Sequence, residues 1–431
     1  MTRQQAEDFI YKSYLKAQKY QNYNTKDSEK RRNDLTFDLI RKKSGTPCVI
    51  VTGSKGKGSV SNMISQILQT KYTVGLMTSP HIVDFCERFQ VNSGKISNED
   101  FIKQISMIQN EINSIDTSLP KDVCISPMGI QAYLALNYFE NCNTKFNVFE
   151  CGKGARFDDV NNILHDYAII NSIFLEHTRE LGETLEEIAE DKSHVITGEQ
   201  KCVYIAEQSP EVLAIIQNRA TTLNVTLKIY GKDFYADNIQ YTRNGMLFDI
   251  VLKKQIYPDI MVPLLGEHQA KNCALAFALC KDILGEFNLN NVRENLTKIN
   301  WPGRMEIINN NPFILLDACI NSTACKNIIK VLDYLNIDKV TLIVGIPDDK
   351  DYMGVVKTME SKSSSIILTK SENPHYIFTQ AQQNNLQKEN VETIWTNSVP
   401  EALDFAIEKK KPIVILGTTS VISEVKKYRF I

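Results

Sequence analysis

VTGSKGKGS occupies residues 51–59. Before it, Cys48 to Thr52 form a short apolar run. After it, Val60, Met63, Ile64, Ile67 and Leu68 recur at i, i+3, i+4, i+7 and i+8, one face of an amphipathic helix. Strand, glycine-rich turn and helix in that order open an α/β domain. Successive N–H groups at a helix N-terminus cradle phosphate, and the helix dipole favours the negative charge. Gly53, Gly56 and Gly58 let the backbone approach closely, with Ser54 and Lys55 in the same binding loop. Lys57 is placed to reach terminal phosphates, and Ser59 to ligate Mg²⁺. The loop is shorter than G-x-x-x-x-G-K-[ST] and carries Gly58 between the lysine and the hydroxyl. A tight turn that binds nothing is the plainer alternative; the flanking strand and helix favour a nucleotide.

Further buried strands are expected at Phe146–Cys151 and Ala168–Phe174, with helices between them. Residues 201–265 change character. VYIAEQ, TLKIYG, GMLFDIVL and DIMVPLLG are short β-rich runs separated by turn residues, which predicts a meander or hairpin pair decorating the sheet. A helix begins near His268. Trp301-Pro302-Gly303-Arg304 punctuates the chain as a linker. Beyond it FILLDA, KVTLIVG, SSIILT, ETIWT and PIVILG alternate with helical segments such as Thr323–Leu335 and Pro400–Lys409. Those are five strands of a second, smaller parallel sheet. The first 45 residues are polar, with apolar positions at helical spacing, and read as one or two surface helices.

A chain of 431 residues is too long for one ordinary domain. Its 43% hydrophobic and 23% charged content excludes collagen-like and wholly disordered classes. Lys+Arg 49 against Asp+Glu 51 leaves a formal charge of -2, so no overall attraction draws the chain to nucleic acid or an anionic membrane. No run approaches the roughly 20 apolar residues of a membrane span, and the N-terminal stretch lacks the apolar core of a secretory signal. A cytoplasmic monomer acting on small molecules is expected. None of the ten cysteines forms a CxxC pair, and several lie in apolar runs, so they read as buried free thiols. His165, His194 and His375 match nothing and read as surface residues; His81 reads as positioning its loop.

Two side chains gain weight from the glycine loop. Glu150 ends a strand, where ligands of open α/β sheets sit, and His177 follows the strand-like IINSIFL. A carboxylate and an imidazole beside a phosphate loop can hold divalent metals that bridge phosphate oxygens.

Eight ordered motifs then carry a resemblance. VTGSKGKGS (51–59), TSPHIVDFCERFQVNSGKIS (78–97), ECGKGARFDDVNNI (150–163), FLEHTRELGETLEEIAEDK (174–192), LLGEHQAKN (264–272), WPGR (301–304), LLDACIN (315–321) and GIPDDKD (345–351) span nearly the whole chain. The sequence resembles the folylpolyglutamate synthase/dihydrofolate synthase branch of the Mur ligase superfamily. The resemblance implies an N-terminal P-loop-type ATPase domain (1–298) and a smaller Rossmann-like domain (299–431), hinged at 299–303. It implies ATP phosphates on Lys57 and Ser59, and two Mg²⁺ sites drawing on Ser59, Ser79, Glu150 and His177. Lys192 matches a lysine that is carbamylated in the family. Asn272, Arg304 and Asp317 would contact the nucleotide. The implied chemistry is ATP-dependent amide formation through an acyl phosphate, joining a folate-type acid to glutamate.

Departures cluster on the substrate side. The family's D-G-A-H-N-P reads Asp317-Ala318-Cys319-Ile320-Asn321-Ser322, so Ile320 replaces a histidine with a side chain that donates no hydrogen bond. The family's T-x-F-E aligns with Ser126-Pro127-Met128-Gly129, losing a ring and a carboxylate. In the stretch Gly154-Ala155-Arg156-Phe157-Asp158-Asp159, Asp159 replaces an alanine. Met128, Asp158, Asp159 and Ile320 are therefore candidate substrate-side residues. Two readings stay beside folate ligation: a paralogous ligase joining another acid to another amino acid, and a silent nucleotide-binding regulator.

Overall fold

The computed structural model describes residues 1–21 and 32–428. Part of the polar N-terminal segment, 22–31, lies outside the described residues. The helices on either side, Arg3–Gln18 and Asp34–Lys43, are more than surface decoration. Ala6, Phe9, Ile10 and Ile40 are buried in the core of the large sheet.

That sheet has eight strands: β1 (Cys48–Thr52), β2 (Val74–Met77), β3 (Phe89–Val91), β4 (Gly94–Lys95), β5 (Phe146–Glu150), β6 (Tyr167–Ile170), β7 (Cys202–Ile205) and β8 (Leu227–Ile229). Their spatial order is β4-β3-β2-β5-β1-β6-β7-β8. The run from β2 to β8 is parallel, and β3 and β4 close one edge antiparallel. β1 and β5 are buried at every position, as central strands covered on both faces must be. Their C-terminal ends, Thr52 and Glu150, come side by side through the register Val51 to Glu150.

VYIAEQ and TLKIYG do not belong to a meander. They form β7 and β8, extending the parallel sheet, because crossover helices such as Pro210–Thr222 intervene. The separate antiparallel sheet has three strands, β9 (Phe234–Thr242), β10 (Gly245–Leu252) and β11 (Gln255–Val262), in order β11-β10-β9. Its apolar face packs on helix Glu267–Leu284. The helix after the glycine loop, Lys57–Leu68, is buried from Ser59 to Leu68 on all sides. Helix Glu267–Leu284 covers the face that an isolated amphipathic pattern would leave to solvent.

The C-terminal sheet contains β12 (Glu306–Asn310), β13 (Phe313–Asp317), β14 (Val340–Gly345), β15 (Ser363–Leu368), β16 (Ile394–Trp395) and β17 (Ile413–Gly417). The order is β12-β13-β17-β14-β15-β16, parallel apart from β12. All five predicted strands are present; β12, polar and half-exposed, gave no pattern to read. Ile82 of the first half packs on the core of this sheet, and Tyr241 of β9 stacks on Tyr334 at 5.2 Å. Among the described residues no helix is long and apolar enough to cross a membrane. All ten cysteines are free, nine of them buried.

Candidate active site

The glycine loop leaves β1 and enters helix Lys57–Leu68, whose N-cap is Gly56 at φ 75°, a left-handed conformation suited to glycine. A Cβ on Gly56 would stand 2.5 Å from Asn171 Nδ2 and 3.0 Å from Asn272 Oδ1. Those two amides are joined, Asn171 Nδ2 donating to Asn272 Oδ1 at 3.0 Å. Asn272 is thus brought to the loop by helix Glu267–Leu284. Asn171, at the end of β6, is a contact that sequence reasoning missed although IINS quotes it. Ser54 ties the loop to the segment after β6: its N–H donates to Ser172 O, and its hydroxyl donates to Phe174 O. Gly58 and Ser59 fall in the first helical turn, with Ser59 buried.

Lys57 Nζ donates to Gly53 O at 3.0 Å, and Lys192 Nζ donates to the same oxygen at 3.1 Å. Lys192 comes from helix Leu185–Ser193 and is 1% exposed. Burial, with the charge of Lys57 second, holds its ammonium below the ordinary lysine range. Its counter-charge is Glu176 at 3.2 Å, also missed from sequence. His177 has φ 49° and lies 3.9 Å from Glu180. Burial of its ring lowers its pKa to about 4, so the imidazole is neutral at ordinary pH.

Glu150 is 4% exposed, and burial raises its carboxyl, opposed by Lys57 and by the Ser79 N–H. That N–H donates to Glu150 Oε2 at 3.0 Å. Gly58, Ser79 and Glu150 line one cleft of about 270 Å³ together with His81, Lys95, Trp301 and Arg304. A Cβ on Gly58 would stand 2.6 Å from the Trp301 ring, so glycine is required for 299–304 to close on the loop. His177 instead has Glu176, Lys153, Glu180 and Lys192 as its charged neighbours. Among the described residues, no three His, Cys, Asp or Glu side chains converge as a metal cluster. Glu150, Ser79 and Ser59 offer hard oxygen donors beside a phosphate loop. Such a set suits Mg²⁺, which uses few protein ligands and takes the rest from phosphate and water.

Across the cleft, Asp317 ends β13 and accepts from the Met305 N–H at 2.7 Å. Burial raises its carboxyl, and Arg304 opposes the rise. Lys55 feels Glu176, Lys57, Arg304 and Cys319 electrostatically, so the loop tip faces the C-terminal sheet. The structure therefore brings Gly53 through Ser59, Asn272, Lys192, Ser79, Glu150, Arg304 and Asp317 into one region.

Of the substrate-side candidates, Met128 and Asp158 both lie against Gly152 and Asp159 against Gly129. Asp158 accepts from the N–H groups of Gly152, Lys153 and Val160, capping the turn Asp159–Asn162. Asp159 is 2% exposed and accepts from the Thr36 hydroxyl at 2.6 Å. Its Oδ1 would be 2.4 Å from a Cβ on Gly129. The two departures are thus one exchange: the Asp159 carboxylate fills the space that a side chain at 129 would take. Met128 is half-buried beside Gly152. Ile320 packs half-buried on the C-terminal core. His165 is not a surface residue; it is 3% exposed and bonded to Ile163 O, Val195 O and Gln200. His194 is half-buried and His375 exposed.

A phosphate-loop parallel sheet facing a second nucleotide-type sheet across a cleft defines an ATP-dependent ligase, and comparison with known proteins agrees. The Mur ligase middle domain matches residues 51–280, and the Mur ligase glutamate ligase domain matches residues 303–418. The dihydrofolate synthase/folylpolyglutamate synthase of Bacillus subtilis is 28% identical, covering 88% of this chain and 89% of that one. Among solved structures, the Mycobacterium tuberculosis folylpolyglutamate synthase complexed with ADP and AMPPCP superposes with TM-score 0.86 at 21% identity, covering 93% and 96% of the chains. The apo Lacticaseibacillus casei enzyme gives 0.85 at 23% identity, covering 99% of each. The chain belongs to the Mur ligase family.

Proposed function

We propose that the protein adds L-glutamate to dihydropteroate or to a folate, converting ATP to ADP and phosphate. The observation that carries this reading is the convergence of Lys57, Lys192, Ser79 and Glu150 at the phosphate loop, opposite Arg304 and Asp317. A solved relative described as a folylpolyglutamate synthase–AMPPCP–folate complex, TM-score 0.81, supports the substrate class. A substrate carboxylate oxygen attacks the γ-phosphorus, releasing ADP and leaving an acyl phosphate. The amine of glutamate then attacks the acyl carbon, an amide forms and phosphate leaves. Lys57 offsets charge on the transferring group.

Ser59, Ser79, Glu150 and neutral His177 would hold Mg²⁺, whose charge supports phosphate transfer when bound. Lys192, whose charged form burial disfavours, is the amine that would take up CO₂, losing a proton to become a carbamate. Asn272, Arg304 and Asp317 would contact the nucleotide. We place the boundary between the two domains at 298/299, with 299–303 as a hinge whose closure excludes water from the acyl phosphate. The substrates are small molecules, and the working form is a monomer in the cytoplasm.

Ile320 favours a second reading, a paralogous ligase with another acid or amino acid, because its side chain can donate nothing to a substrate. ADP release should require an acid and an amino acid together. Release with dihydropteroate or tetrahydrofolate plus glutamate supports the first reading; release only with other pairs supports the second.

A further inference from the structure

The cleft beside Glu150 holds a histidine that the chemistry above does not use. His81 is half-buried in the loop after β2, its ring 5.3 Å from that of Phe85. Arg88 Nε donates to His81 Nδ1 at 2.9 Å, and Arg88 Nη1 donates to Gln131 Oε1 at 2.7 Å. Gln131 in turn donates from Nε2 to Pro127 O at 2.9 Å, so its carbonyl faces the arginine. Arg88 is 9% exposed and stacks over Phe85 at 4.8 Å. A guanidinium nitrogen only donates, so Nδ1 has to present its lone pair. The ring proton is then on Nε2, on the other edge of the ring.

The cleft that His81 lines also carries Lys95, Arg304, Glu87 and Gln90. Its volume of about 270 Å³ falls just below the roughly 300–1,000 Å³ of pockets that take drug-sized ligands. An amino acid suits that space. We infer that Arg88 fixes His81 as a neutral Nε2–H donor to a carboxylate of the incoming amino acid, in the cleft next to Glu150. His81 is then an orienting donor, never a base, and Arg88 is a positioning residue acting through it. The inference rests on the ligase reading for its substrate, but its tautomer does not.

Two measurements on the full-length protein test it. In ¹⁵N-histidine-labelled protein, long-range ¹H–¹⁵N spectra, with His81 assigned by its loss in His81→Phe, should show a protonated Nε2 and an unprotonated Nδ1. Arg88→Met should mix the tautomers while a folded spectrum persists. A protonated Nδ1 in the wild type overturns the inference. In steady-state assays, His81→Phe keeps the ring packing and should raise KM for the amino acid about tenfold with kcat nearly unchanged, one charged hydrogen bond being lost. His81→Gln should recover part of the loss. An unchanged KM overturns the inference. If the wild type turns over no folate and glutamate, the ligase reading fails separately. The Nε2–H signal is then titrated with each common amino acid under MgATP; a shift supports the donor role, and no shift with any of them overturns it.

Discussion

Lys57 and Lys192 share one acceptor: their ammonium nitrogens stand 3.0 and 3.1 Å from the carbonyl oxygen of Gly53. Two cations on one carbonyl repel, and the ion-pair partner of Lys192 is Glu176. The arrangement favours negative charge arriving at Lys57 and neutrality, then carbamylation, at Lys192. On the proposed reading, a nucleotide phosphate supplies the first and CO₂ uptake the second.

Lys57→Ala should leave a folded protein whose kcat falls by about 10²–10³-fold, the scale seen when one preorganised donor to a charged transition state is removed. ADP release under saturating substrates measures it.

The Lys192 carbamate should depend on dissolved CO₂. Activity should drop in CO₂-stripped buffer and return with bicarbonate. A carbamate carbon signal from ¹³C-bicarbonate should be present in the wild type and missing in Lys192→Arg.

Glu150→Gln should lose turnover and gain stability. Burial raises the Glu150 carboxyl, so its charged form is disfavoured in the folded state. The sign follows: the folded state binds the extra proton, and stability rises as pH falls through the folded pKa. Removing the charge at pH 7.5 removes that penalty, and urea denaturation at pH 7.5 should give a higher midpoint for the variant.

The opposite slope comes from buried imidazole. Burial lowers the His268 pKa to about 4, and its Nδ1 has no partner; His165 is shifted the same way by burial. Between about pH 6.5, the unperturbed value, and pH 4, the unfolded chain binds protons that the folded chain refuses. Stability should therefore be fully present above pH 6.5 and decline as pH falls through this window. Urea midpoints between pH 7.5 and 4.5 should show the decline, with a shallower slope in His268→Gln.

Gly129 and Asp159 should be coupled. Gly129→Ala forces a methyl group against the Asp159 carboxylate and should cost about 1–3 kcal/mol, as overpacking does. Asp159→Ala in the same chain should recover part of that loss, a non-additivity that denaturation of both singles and the double would reveal.

Much of this was legible because chemistry and backbone coincide at the glycine loop. Lys57, Ser59 and Glu150 sit at strand ends and a helix start, which apolar runs and glycines mark directly. What escaped was tertiary. Glu176 matters only because Lys192 folds back to it, and Asn171 only because Gly56 leaves room for its amide. The β7 and β8 runs look like hairpin strands until the helix between them is counted, and the half-exposed β12 lacks an alternating pattern. Asp159 looked like a substrate contact, whereas it is buried and bonded to Thr36, a partner 123 positions away.

Mass spectrometry of reaction products tests the central claim most directly. Protein, MgATP and bicarbonate are offered dihydropteroate or tetrahydrofolate with glutamate. The predicted result is a product one glutamate heavier than the acid, with one ADP per amide formed. ATP binding without a glutamylated product from either acid would contradict it.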